Sequence, residues 1–143
     1  MKMLGLCALS CALLCVLVGD GTARPDDEDA IPSFKSDKGR ETKEFVAKVG
    51  TIVVKAARSK PTKIELEKYE YTKVKTGRTE LKVTMIYHGL VTKKKYTSDI
   101  VVQLDSSDAN KWEVLNITYK DNNPSPTKPN IKNIQELIPK FNK

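Results

Sequence analysis

Residues 45–56 read Phe45-Val46-Ala47-Lys48-Val49-Gly50-Thr51-Ile52-Val53-Val54-Lys55-Ala56. Apolar side chains fall at Phe45, Val46, Val49, Ile52, Val53 and Ala56, the spacing of three and four that marks one face of a helix. Lys43, Lys48 and Lys55 take the other side. The spacing predicts one long amphipathic helix over residues 41–60. Asp37 is a candidate cap upstream, and Ser59-Lys60-Pro61 closes the helix because the residue before a proline disfavours helical backbone. Only strand patterns follow, four of them between residues 63 and 119. A lone helix followed by an antiparallel meander has one economical packing, in which the sheet curls across the helix and buries its apolar stripe. The expected class is therefore α+β, one long helix across a curved four-stranded antiparallel sheet.

Within the strands, Ile64 and Leu66 alternate, and Tyr69 and Tyr71 alternate in the opposite phase. A bulge near Glu67-Lys68 reconciles the two. Thr76-Gly77 supplies a turn, after which Leu81, Val83, Met85 and Tyr87 point inward, with Lys82, Thr84 and His88 toward water. Residues 96–104 form a third strand with Ile100, Val102 and Leu104 inward. Residues 105–110, Asp-Ser-Ser-Asp-Ala-Asn, read as a turn before Trp112 and a fourth strand over residues 113–119. From residue 123 a proline-rich basic tail runs to residue 143, with one short helix predicted over residues 131–138.

The first 23 residues have the build of a secretory signal peptide: Lys2, an apolar run over residues 4–18, and small residues around Ala23. The run stops at Asp20, short of a membrane span. All three cysteines, Cys7, Cys11 and Cys15, lie in this leader, so a secreted mature chain has no disulfide and is held by packing alone. Its length, about 120 residues, suffices for one core. Residues 24–38 read as a flexible acidic arm with two isolated apolar residues, Ile31 and Phe34.

The whole chain carries +7. Lys2 and Asp20 cancel, and residues 24–29 set Arg24 against Asp26, Asp27, Glu28 and Asp29, a net of −3, so the rest carries +10. That balance favours acidic partners. Catalytic chemistry is scarce: His88 is the single histidine, and a mature chain without cysteine excludes the usual structural zinc site. A serine nucleophile would depend on that one imidazole, and no glycine spacing forms a phosphate loop. No enzyme activity, metal or cofactor is expected. Glu65 and Glu67 alternate on a solvated strand face. Lys93-Lys94-Lys95 is a compact cationic run suited to a polyanion, and Asn116-Ile117-Thr118 is a glycosylation sequon within a strand.

The order of helix, long bent strand, tight turn, two strands, a turn with tryptophan and a last strand resembles the cystatins, inhibitors of papain-like cysteine proteases. The likeness covers residues 39–119 and suggests a cystatin-like domain over residues 39–122. In that family a wedge of three pieces enters the protease cleft: an N-terminal arm with a glycine, a first hairpin reading Q-x-V-x-G, and a second hairpin with Pro-Trp. Here Lys73-Val74-Lys75-Thr76-Gly77 stands where Q-x-V-x-G would, and only Gly77 matches. Lys73 replaces the glutamine and Lys75 the valine, so the tip is cationic. Trp112 matches the second hairpin with Lys111 in place of proline, and Gly39 stands for the arm's glycine or serves the helix start.

The meander itself puts the Gly77 turn and the Trp112 turn at one end of the sheet, so Lys73, Lys75, Arg78, Lys111 and Trp112 can converge, while Lys93-Lys94-Lys95 lies at the other end. Two functions follow as expectations. The first is a secreted, monomeric, extracellular inhibitor that occludes the cleft of a papain-like protease. The second is a non-inhibitory basic module that binds acidic matrix or glycan polymers, with no membrane and no specific nucleic acid among its partners. A third reading treats the tail from residue 127, with Lys128, Lys132, Lys140 and Lys143 against Glu136, as a releasable peptide.

Overall fold

In the computed structural model the described residues are 30–35, 39–75, 77–108, 110–127 and 132–143. The leader, the acidic stretch at residues 24–29, the candidate cap Asp37 and Thr76 lie outside them. Helix α1 (Lys43–Ala57) is followed by β1 (Thr62–Lys75), β2 (Arg78–His88), β3 (Lys95–Asp108) and β4 (Lys111–Asp121), then by two single-turn helices, α2 (Lys132–Gln135) and α3 (Ile138–Phe141). The strands pair in chain order, β1-β2-β3-β4, as one antiparallel meander. The class is α+β, with α1 packed on the sheet.

Helix α1 has 15 residues, shorter than the 20-residue span read from the sequence. It starts at Thr42, whose Oγ1 accepts the Phe45 N–H at 3.2 Å, a side-chain N-cap. The Gly39 carbonyl accepts both the Thr42 N–H (2.9 Å) and its hydroxyl (2.8 Å), which holds the cap in place. The helix stops at Ala57 because Arg58 is already extended (φ −123°, ψ 149°), drawn toward a buried carboxylate described below. The buried stripe is Val46, Val49, Gly50, Val53, Val54 and Ala57, and Phe45, Ile52 and Ala56 are only partly covered. The face is thus rotated from the one expected. Gly50 explains the rotation: a Cβ there would collide with the Met85 side chain of β2, so the helix approaches the sheet closest along the line through its glycine.

The bulge expected at Glu67-Lys68 is present. Leu66 pairs with Met85 and Lys68 with Thr84, leaving Glu67 as the extra residue. A second irregularity leaves Val74 extra between Lys73–Thr79 and Lys75–Arg78. Leu81, Val83, Met85, Tyr87, Ile100, Val102 and Leu104 are buried, as their alternation predicts. Residues 105–108 are strand rather than turn, and the reversal lies between the paired Asp108 and Lys111. The Ser106 N–H donates to the Gly77 carbonyl at 2.8 Å, and its hydroxyl bonds Thr79 Oγ1 at 2.9 Å. The neighbouring hairpin therefore holds this polar stretch extended.

Both ends of the described chain belong to the core, which corrects the expectation of a flexible arm and decides for the tail what the sequence left open. Residues 31–35 are not a free arm. Phe34 is completely buried, edge-on to Phe45 at 5.3 Å and tilted against Phe141 at 5.6 Å, and its N–H donates to the Phe141 carbonyl. The described part of the tail, residues 132–143, packs on the core as well. It forms two short helices where one was expected, with Pro139 opening the second, and Ile134, Leu137 and Phe141 are buried. Its amides cover the outer edge of β4: Asn142 accepts the Val114 N–H at 2.7 Å, and Gln135 donates to the Ile117 carbonyl at 2.9 Å.

A polar knot closes the end of the fold where α1 stops. Arg58 grips Asp121 in a bidentate pair, Nε to Oδ2 at 2.7 Å and Nη2 to Oδ1 at 2.6 Å, with side chains only 7% and 2% exposed. Tyr87 and Tyr119 donate to Oδ2 at 2.9 and 2.6 Å, and the Asn123 N–H donates to Oδ1 at 3.1 Å. Arg58 also reaches the Ser125 and Pro126 carbonyls. Burial pushes the Asp121 carboxyl up, but the donors from Arg58, Tyr119 and Tyr87 outweigh it and hold the carboxyl below its ordinary value. Burial likewise opposes the Arg58 cation, and its bond to Asp121 overrides this. Tyr119 is pushed up, first by burial and then by its bond to Asp121.

Two outcomes are expected. Phe34→Ala should cost about 3–5 kcal/mol in urea unfolding, as for a core aromatic, whereas a flexible arm would cost nothing. Asp121→Asn should cost about 3 kcal/mol near pH 7 by leaving Arg58 buried without its partner. Because the folded Asp121 titrates below its unfolded value of about 3.9, its contribution is complete above that pH and is lost as pH falls through the folded value. Stability of the parent and Asp121→Asn proteins should therefore converge on acidification, as unfolding at a series of pH values would read.

Candidate functional site

At the end of the sheet away from this knot, two hairpins and the entry to α1 meet. Gly77, at φ 80°, makes the left-handed turn between β1 and β2 that a side chain would strain. The Ser106 N–H on the Gly77 carbonyl ties the two hairpins together. Lys35 bridges to Lys111 in antiparallel fashion, which brings the N-terminal segment alongside the second hairpin. Three chain segments thus share one edge.

Trp112 is half-buried here and has two partners. The Arg40 guanidinium stacks 4.1 Å from its ring centroid, and Tyr71 meets it edge-on at 6.2 Å. Arg40 is fixed in turn by a 3.0 Å bond from Nη1 to the Phe34 carbonyl, and the Tyr71 hydroxyl donates to the Arg40 carbonyl. A groove of about 540 Å³ opens beside this stack, lined by Arg40, Lys73, Lys75, Gly77, Arg78, Ser106 and Trp112. Among the described residues it holds four cations and no carboxylate. Val74, the bulged residue, is 51% exposed at the same tip.

Of the residues expected at this edge, Lys73, Lys75, Arg78, Gly77 and Trp112 come together. Lys111 is exposed beside Lys35 and does not line the groove, and Gly39 sits at the helix start with its carbonyl on Thr42. Thr76 is outside the described residues. Arg40 was missed: no spacing links it to a tryptophan 72 positions away, and only the fold stacks the two. Lys93, Lys94 and Lys95 are exposed at the opposite end. Asn116 lies half-buried in β4 opposite Gln103. His88, expected to face water, is half-buried at the end of β2 because Thr62 pairs across it, and its Nδ1 has no hydrogen-bond partner among the described residues.

Among the described residues no group of three His, Cys, Asp or Glu side chains is arranged to hold a metal ion, and no helix is long and apolar enough to cross a membrane. Compared with known proteins, the chain matches no family model, no curated protein and no solved structure. The edge is a cationic surface backed by Trp112.

Arg40→Ala should uncover one face of Trp112. Its fluorescence emission is expected to shift to the red, with a stability loss of about 0.5–1 kcal/mol. Unchanged emission would show that Arg40 does not cover the ring in solution.

Proposed function

We propose that the chain is a secreted, cystatin-like inhibitor that occludes the cleft of a papain-like cysteine protease with the three-segment edge. The observation that carries this reading is the meeting of residues 31–35, the Gly77 hairpin and the Trp112 hairpin at one end of the sheet. Occlusion without turnover needs tips that keep their shape on binding. Ser106 on Gly77 and Arg40 on Trp112 supply that rigidity, and exposed Val74 offers an apolar contact. Lys73, Lys75 and Arg78 must lose water on entering a cleft, so the preferred target has acidic groups along its subsites.

One observation favours a second reading. The groove carries Arg40, Lys73, Lys75 and Arg78, with no carboxylate among its described lining residues, which suits an acidic extracellular polymer such as a sulfated glycan.

Titration of the protein secreted by a eukaryotic host against papain and a cathepsin L-type enzyme separates the two. Inhibition should be stoichiometric and should weaken roughly a hundredfold in Gly77→Val and in Trp112→Ala, the size of a hot-spot loss. Full protease activity at micromolar protein, together with heparin retention that falls steeply with salt and disappears in the Lys73→Glu, Lys75→Glu double variant, would replace the first reading by the second.

A further inference from the structure

The opposite end of the sheet has a different chemistry, which the proposed edge does not use. Between β2 and β3 the chain reads Gly89-Leu90-Val91-Thr92-Lys93-Lys94. Val91 is 90% exposed and Leu90 42%, and Val91 is the most exposed large apolar side chain among the described residues. These two adjacent side chains at one loop tip are apolar surface that a contact could bury.

The tip is nonetheless closed on itself. The Lys93 N–H donates to the Gly89 carbonyl at 2.9 Å, the Gly89 N–H to the Lys94 carbonyl at 3.0 Å, and the Lys94 N–H to Thr92 Oγ1 at 3.2 Å. Lys93 adopts the left-handed conformation that this closure requires, and a Cβ on Gly89 would run into Thr92. These bonds fix the shape of the tip, so little conformational freedom is left to lose when it docks.

The cations frame this tip. Lys93, Lys94 and Lys95 follow it directly and are exposed, and Lys60 is exposed on the neighbouring turn. No Asp or Glu occurs between His88 and Asp99. Behind the tip lies a groove of about 710 Å³ walled by Pro61, Tyr87, Leu90, Val91, Tyr96 and Pro126. An apolar point followed by a cluster of lysines matches the layering of an anionic bilayer, whose acyl boundary lies beneath its phosphates. A soluble polyanion would satisfy the lysines and leave Val91 in water.

We infer that this tip docks the protein on an anionic phospholipid surface, with Leu90 and Val91 entering the headgroup–acyl boundary and Lys93, Lys94 and Lys95 meeting lipid phosphates. No spanning segment is involved, in keeping with the described residues, none of whose helices is long and apolar enough to cross a membrane; the inference goes beyond the expectation of no membrane partner. The hairpin edge lies at the other end of the sheet, so the inference stands or falls separately from the proposed inhibition.

The test is co-sedimentation of the secreted protein with vesicles of phosphatidylcholine alone and of equimolar phosphatidylcholine and phosphatidylserine. Binding is expected to the mixed vesicles and not to phosphatidylcholine alone. It should weaken at least about tenfold in the Leu90→Ser, Val91→Ser double variant, and by a similar factor in the Lys93→Glu, Lys94→Glu double variant. The serine variant should keep parental retention on heparin. Emission from Val91→Trp should shift to the blue on the mixed vesicles only. No binding to the mixed vesicles, equal binding to both, or binding that the serine variant leaves intact would overturn the inference. Loss through the lysine variant alone would mean electrostatic adsorption with no entry of Leu90 and Val91, and would overturn it as well.

Discussion

One buried ion pair organises this molecule. Asp121, the last residue of β4, accepts five hydrogen bonds: two from Arg58 just after α1, one from Tyr87 on β2, one from Tyr119 on β4 and one from the Asn123 amide. Ser98 of β3 joins through Tyr119. Helix end, three strands and the start of the tail are thereby referred to a single carboxylate. An isolated charge there would be expensive. Five hydrogen bonds, two of them from one forked cation, make the charged form the favoured one and penalise any arrangement that separates the partners. No cysteine lies among the described residues, and there this pair ties together elements 63 positions apart in the chain.

The aromatic clasp at the other end works by packing. Phe34, Phe45 and Phe141 come from the N-terminal segment, the helix start and the last helical turn, and their contact draws both ends of the described chain into the core. That has a consequence for function. Because Phe34 is anchored and its carbonyl binds Arg40, the guanidinium is presented over Trp112 at a set distance, and the cationic edge inherits the rigidity of the core. Core packing and the candidate binding surface are joined through one arginine.

The two ends of the sheet are thus specialised differently. At the hairpin edge the cations surround a shielded tryptophan. At the opposite end an unshielded Leu90-Val91 pair stands ahead of three lysines. A four-stranded antiparallel meander puts its first and third turns together and its second apart, which is why these two groups of residues lie at opposite ends of the sheet.

Much of the architecture was legible in the residues. The period of three and four announced α1, the alternation of Leu81, Val83, Met85 and Tyr87 announced β2, and the phase change between Leu66 and Tyr69 announced the bulge at Glu67, because these patterns follow from local backbone geometry. The order of elements also implied which turns share an end. Local pattern could not say that Phe34 is core, since an isolated apolar residue in a polar stretch has no period, nor that residues 105–108 are strand, since their turn-like composition is overruled by bonds to a neighbouring hairpin. It could not find the Arg58–Asp121 pair or the Arg40–Trp112 stack, whose partners are 63 and 72 positions apart. The sequence by itself determined the elements and their order, through short-range sterics and hydrophobic period. Only the tertiary structure decided which distant charges and rings face one another, because that depends on register and on the angle at which the helix, through Gly50, settles on the sheet.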